Sequence, residues 1–310
     1  MAKFKKWLLR AGISFVVIVI LLLGSMALYW YSPGIYRYHL FNLFVDLSSN
    51  EKPLGGDRPA HVHLPEHYDP SLSWPLVLSL HGYMSFPAET EFYISPIHLR
   101  HELGYIIISP EGSVDRKKNH YWDATPDCCS DWGEPVDDVS YLKNLVFEAQ
   151  KRYNVDPEKI YIFGISNGGY MAYRLACEDE GLFHGIVVFA GLSYADPNDC
   201  KNPLPRHIVH FHGTADRIVP MESRDLELSA PIDVLLQRWA KINQCETEDQ
   251  LIKEKWSILR NPSHLSELWQ WPDCREGSVR FIKMNKAGHI PLFQINPLRL
   301  AWPWINQASE

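Results

Sequence analysis

Ser166 stands between two glycines in Gly164-Ile165-Ser166-Asn167-Gly168, and Gly169 follows directly. An apolar run, Ile160-Tyr161-Ile162-Phe163, leads into this stretch, and a helical pattern from Gly169 to Cys177 leads out. Glycine and asparagine weaken the start of a helix, so a steric demand must account for them here. A sharp strand-to-helix turn makes that demand. It holds a serine on a strained backbone with its hydroxyl proud of the sheet, and its neighbours must be small. The helix that follows presents unpaired N–H groups and the positive end of its dipole. The chemistry this pattern permits is nucleophilic attack, with amides holding the oxyanion that develops.

A serine hydroxyl is inert without a base, and the base needs an acid to orient it. When the nucleophile sits on such a turn, acid and then base follow in chain order, each just beyond a strand. The strand expected at His207–Phe211 runs into His212-Gly213-Thr214-Ala215-Asp216, which puts Asp216 in the acid's place. The last expected strand, Ser278–Met284, leads to Lys286-Ala287-Gly288-His289, which puts His289 in the base's place. The chain has 14 histidines, so it is this position rather than residue type that selects His289. One oxyanion donor is expected from the amide of Asn167, just after the nucleophile. The second is expected from the Tyr83 amide in His81-Gly82-Tyr83, beyond the strand at Pro75–Leu80. The His81 side chain shapes that loop or borders the substrate pocket. Trp122, beyond the strand at Tyr105–Ser109, is a second pocket candidate, with a packing role equally open.

Short apolar runs alternate with helical segments along the rest of the chain. His61–Leu64 reads as an edge strand, Gly185–Ala190 as a buried one, and Val136–Tyr153 and Pro231–Ile242 as amphipathic helices. A closing helix at Pro297–Gln307 is interrupted by Pro303. This alternation predicts an α/β fold with a mostly parallel sheet covered on both faces. Residues 243–277, rich in Trp and charge, read as an insertion near the site, with Trp269 and Trp271 in a lid or in packing. Asp137 and Asp138 open a helix and suit its dipole. His61 and His63 share a strand face but have no evident third ligand, so they read as a solvated edge rather than a metal site.

The 310 residues are 46% hydrophobic and 22% charged, with a net charge of −7, which is ordinary for a globular chain. No basic stripe follows residue 30, which argues against a nucleic-acid partner. Lys3, Lys5, Lys6 and Arg10 precede an uncharged run from Ala11 to Tyr31. As a helix that run would span about 30 Å, close to a bilayer core, and Tyr29-Trp30-Tyr31 would close it as an interfacial belt. The organisation expected is a membrane anchor at 1–31, a linker at 32–55 and a catalytic domain at 56–310. Cleavage of a signal peptide after Ser25-Met26-Ala27 is the alternative. Either way residues 32–310 lie outside the cytoplasm. The six cysteines suit that compartment, although six allow many pairings, and the lack of any CxxC argues against zinc. Cys128 and Cys129 could bridge each other or reach another cysteine.

Five segments together carry a resemblance: HGY at 81–83, YWDATPDCC at 121–129, VDDVSYL at 136–142, GISNGGYMAYRLAC at 164–177 and HGTAD at 212–216. Over roughly 58–291 the chain resembles the poly(3-hydroxybutyrate) depolymerase and feruloyl esterase-like branch of the α/β-hydrolases. The resemblance implies a secreted serine esterase that needs no cofactor, with its triad on Ser166, Asp216 and His289. It also suggests a disulfide between Cys245 and Cys274, with Cys177 and Cys200 as a second candidate pair. Around the catalytic histidine the family usually has Gly-His-Thr-Trp-Pro, whereas this chain has Gly288-His289-Ile290-Pro291. The pocket wall beside the base therefore differs. A peptidase or acyltransferase on the same fold, and a non-catalytic envelope binding module, are the competing readings.

Overall fold

Six parallel strands form the centre of one sheet. In spatial order they are β3 (Ile106–Ser109), β2 (Trp74–Leu80), β6 (Val155–Ile165), β7 (Gly185–Phe189), β8 (His207–Gly213) and β11 (Ser278–Met284). β1 (His61–His63) adds antiparallel to β3 at one edge, and β10 (Ser266–Trp271) and β9 (Gln250–Trp256) add antiparallel beyond β11 at the other, making nine strands. A separate two-stranded ladder joins β4 (Ser113–Val114) to β5 (His120–Tyr121). This computed structural model describes Gly24 and residues 47–129, 136–246 and 248–306. The expected N-terminal helix lies outside the described residues. Among them, no helix is long and apolar enough to cross a membrane.

The apolar strand runs are continuous because both faces are covered. Side chains alternate along each strand. Leu76, Leu78, Ile160, Ile162 and Val188 face α3 (Asp138–Arg152), α4 (Asn167–Glu178) and α5 (Ile232–Ile242). Val77, Ile107, Phe163, Val187 and Val209 face α1 (Pro87–Ile94), α2 (Pro96–Leu103) and α6 (Pro297–Ile305).

Three details depart from the sequence expectations. α6 continues through Pro303, because Leu298, Ala301, Trp302 and Ile305 anchor its buried face on the sheet on both sides of the proline. Residues 243–277 supply β9 and β10, which extend the sheet. Trp271 is buried there and its Nε1 donates to Gln237 Oε1 of α5 at 3.0 Å, so it packs rather than forming a lid. His63 is buried instead of solvated, and burial pushes its pKa down to about 4. The cause is α2, which covers this edge: Arg100 Nε donates to Leu64 O at 2.7 Å and His101 Nδ1 accepts from Glu66 N–H at 2.9 Å.

Two disulfides are present, Cys177–Cys200 and Cys245–Cys274. The first ties the C-terminal end of α4 to the segment before β8, and the second ties the end of α5 to the segment before β11. Cys128 and Cys129 remain outside both bridges, with their sulfurs 2.6 Å apart.

Candidate active site

β6 ends at Ile165 and α4 begins at Asn167, so Ser166 alone makes the turn. Its φ of 52° and ψ of −117° lie where a side-chain-bearing residue is strained. Close backbone approach holds it there. A Cβ on Gly164 would fall 2.2 Å from Gly168 O, and a Cβ on Gly168 would fall 2.3 Å from Leu80 O. No side chain fits at either position, which accounts for the glycines the sequence singled out. The first amides of α4 have no partner within the helix, as at any helix start, and they face the turn.

The structure brings Ser166, His289 and Asp216 together across 123 positions of chain. Ser166 Oγ lies 2.9 Å from His289 Nε2, and His289 Nδ1 lies 2.7 Å from Asp216 Oδ2. Asp216 Oδ2 accepts from the ring, so Nδ1 carries the hydrogen and Nε2 is left to accept from the serine hydroxyl. The other carboxylate oxygen, Oδ1, accepts from Ile218 N–H at 2.8 Å and Val219 N–H at 2.9 Å. Burial opposes ionisation of Asp216, but the hydrogen bond and charge of His289 and these two amides outweigh it and hold the carboxyl below its ordinary range. Two loops that brace each other carry acid and base: Thr214 N–H donates to Met284 O at 3.0 Å, Ala215 N–H to Ala287 O at 2.9 Å, and Lys286 N–H to Thr214 Oγ1 at 2.8 Å.

The loop His81-Gly82-Tyr83 passes directly beside the serine, where a Cβ on Gly82 would lie 3.4 Å from Ser166 Cβ. Tyr83 turns its hydroxyl away to donate to Asp115 Oδ2 at 2.8 Å. His81 and Trp122, the two pocket candidates, are both fully buried, so neither lines an open cleft. The reason is that each is spent on the frame. His81 Nδ1–H donates to Gly82 O at 2.7 Å, and Nε2 accepts from Gly112 N–H at 2.8 Å. Burial drives its pKa down to about 3, which keeps the ring neutral for this arrangement. Trp122 Nε1 donates to His81 O at 3.0 Å, tying the tryptophan to the same loop.

Sequence reasoning missed two supports. The first is the side chain of Asn167, whose place after the nucleophile points only to its amide. Its Oδ1 accepts from Trp122 N–H at 2.7 Å and its Nδ2 donates to Trp122 O at 2.9 Å, locking the first residue of α4 to the 121–125 segment. The second is Asp138. Asp137 does cap α3, accepting from Ser140 N–H at 2.9 Å, but Asp138 is buried. It binds Arg58 Nη1 at 2.5 Å and accepts from Asp123 N–H at 2.8 Å, fixing the residue beside Trp122. Burial raises its pKa, partly offset by Arg58. The doublet Asp137-Asp138 was the available signal, since a helix needs only one cap.

Comparisons with known proteins bear on the family and the fold. The model of the family described as "Putative esterase" matches residues 51–273. The chain is 22% identical over 246 residues to a bifunctional acetylxylan esterase/xylanase of Neocallimastix patriciarum, covering 79% of this chain and 33% of that protein. It is 24% identical over 263 residues to feruloyl esterase B of Piromyces equi, covering 81% of this chain and 45% of that protein. The chain thus spans less than half the length of these two relatives. It is also 27% identical over 197 residues to a poly(3-hydroxyoctanoate) depolymerase of Pseudomonas fluorescens, covering 56% of this chain and 67% of that protein. Among solved structures, an acetyl xylan esterase from Aspergillus awamori superposes with a TM-score of 0.60 at 15% identity, covering 81% of this chain and 97% of that one, and shares the fold. The chain belongs to the esterase family whose model covers its residues 51–273.

Proposed function

We propose that this protein is a serine hydrolase of carboxylic esters. The observation that carries the reading is the unbroken run of hydrogen bonds from Ser166 Oγ through His289 to Asp216. Ser166 Oγ attacks the ester carbonyl while its proton passes to His289 Nε2. Asp216 keeps the imidazole in the tautomer that accepts there and stabilises the imidazolium that forms. The amides of Asn167 and Tyr83 hold the oxyanion, each worth about 3 kcal/mol in the transition state. The protonated His289 then gives its proton to the departing alcohol. A water molecule, deprotonated by the same nitrogen, releases the acid from the acyl-serine. The scheme uses no cofactor.

A fluorophosphonate tests this reading: it labels the wild-type protein once and fails to label Ser166→Ala. Turnover of p-nitrophenyl acetate through octanoate, with dipeptide anilides left intact, is the expected substrate pattern. The reverse pattern makes the protein a peptidase. Absence of any label leaves a binding module. These relatives are named for acetylxylan, feruloyl and poly(3-hydroxyoctanoate) esters, so these three ester classes form the substrate panel.

Residues 56–310 form the catalytic domain in this proposal. It is exported and held at the membrane by residues 1–31, joined through the linker at 32–55. The basic residues before Ala11 and the two disulfides support export. Full-length protein staying in the carbonate-washed membrane fraction is the expected result. A mature N-terminus beginning near Ala27 would replace the anchor with a cleaved signal.

A further inference from the structure

Behind Asp216 lies a chain of buried hydrogen bonds that the reaction itself does not use. His210 and His212 are two positions apart on β8, so their rings share one face of the sheet. They stack with centroids 5.3 Å apart and planes 7° from parallel. Tyr173 of α4 brings its hydroxyl within 2.8 Å of His210 Nδ1. His210 Nε2 lies 3.0 Å from His212 Nδ1, and His212 Nε2 lies 2.7 Å from Val219 O. All three side chains are completely buried.

The protons can be assigned from one end. A carbonyl only accepts, so His212 Nε2 carries the hydrogen that reaches Val219 O. A neutral ring then leaves Nδ1 bare, and that nitrogen accepts from His210 Nε2–H. His210 Nδ1 is bare in turn and accepts from the Tyr173 hydroxyl. Every donor points the same way, from α4 toward the acid loop, and every ring nitrogen is satisfied. Burial pushes both histidines below their ordinary range, which keeps them in the neutral form this assignment needs. The charged or titratable groups that act on His212 are Asp216, His289 and Glu222, and His210 feels His212.

The chain ends where it bears on the reaction. Val219 receives His212 on its carbonyl and gives its own N–H to Asp216 Oδ1 at 2.9 Å. His212 Nε2 also lies 3.6 Å from Asp216 Oδ2, the oxygen bound to His289. A row of polar groups in an apolar interior is costly unless fully paired, and a simple core would use Phe or Leu at these positions.

We infer that Tyr173, His210 and His212 are positioning residues, a one-way hydrogen-bonded brace from the helix of the nucleophile to the loop of the acid that aims the Asp216 carboxylate at His289. This rests on the triad reading above. The test is the pH profile of kcat/KM on p-nitrophenyl acetate, with each variant normalised to its fluorophosphonate-titrated sites. His212→Phe is expected to lower kcat roughly tenfold with KM within about twofold, the split that misalignment of reacting groups gives. Its acidic limb is displaced from that of the wild type, since the limb reports the base and its carboxylate as one coupled pair. His212→Gln keeps one donor and one acceptor and recovers part of both effects. Tyr173→Phe, at the far end, loses about two- to threefold, and adding it to His212→Phe costs nothing more, as members of one chain behave. Should His212→Phe fail to fold, His212→Gln and Tyr173→Phe carry the same two readouts. Variants that titrate fully but keep the wild-type limb and kcat, or lose kcat with the limb unmoved, overturn the brace and leave the triad standing. A wild-type protein that takes no label at Ser166 overturns the triad and the brace with it.

Discussion

The elbow and the acid loop meet at one serine by opposite means. At the elbow, backbone lies on backbone: Gly164 against Gly168 and Gly168 against Leu80, with no space for a methyl group. On the other side, Asp216 and His289 sit on loops beyond β8 and β11, held by polar atoms of Thr214, Ile218 and Val219 and by buried histidines in β8. The nucleophile is thus placed by volume and the acid and base by hydrogen bonds. A steric frame is indifferent to protonation and intolerant of added atoms. A hydrogen-bonded frame tolerates small changes of shape and fails when a group gains or loses a proton.

Acidification presses this difference hardest, because several groups act together. Burial lowers His207 to about 4, and His210 and His212 are lowered as well, all three on β8. Each is neutral when folded and binds a proton on unfolding, where its pKa returns to about 6.5. Their stabilisation is therefore complete above that value and begins to be lost as pH falls through it; for His207 the loss runs toward pH 4 at about 1.4 kcal/mol per pH unit, and His210 and His212 add losses of the same sign. The lowered Asp216 adds a loss in the same direction at still lower pH. Hydrogen exchange across this range is expected to open β8 and residues 213–219 before β6 and α4, because β8 carries three such histidines and β6 and α4 carry none. Simultaneous opening of both regions would erase the distinction. Gly168→Ala attacks the other region. It is expected to cost about 3 kcal/mol or more in denaturant unfolding at neutral pH, since backbone atoms cannot yield as side chains do. A cost below about 1 kcal/mol would show that the elbow relaxes and is not sterically set. Asn167→Ala sharpens the picture further, leaving Trp122 N–H and C=O unpaired for about 2 kcal/mol by the same measurement. Arg299→Ala, which removes an exposed pair with Glu102 far from both regions, is the control, with an expected change under about 0.5 kcal/mol.

Much of this frame was legible in the chain. The parallel strands are apolar runs of the length a covered sheet requires, and β11 begins and ends where its pattern does. Ser166, Asp216 and His289 could be singled out because each follows a strand end, a constraint imposed by topology. β4 and β5 are two residues each and carry no periodicity, and β9, Gln250–Trp256, holds three charged residues that read as loop. The supports were harder to see because their side chains act over long sequence distances. His210 and Tyr173 lie 37 positions apart, and Asn167 and Trp122 lie 45 apart. The one local trace was His207-Ile208-Val209-His210-Phe211-His212 in β8, a polar residue recurring within a buried strand. His81 and Trp122 stayed open between two roles for the converse reason: nearness to the nucleophile in the chain order of loops does not distinguish the wall of a cleft from the masonry behind it.

The two disulfides carry a consequence for how this scaffold can change. Strands of the parallel core end at the serine, and α4 runs back from it, so Cys177–Cys200 and Cys245–Cys274 join segments at the opposite end of the sheet. The covalent staples thus secure the floor, while the segments around the entrance are left unstapled by them. Substitution at the serine's end of the sheet leaves that foundation clamped.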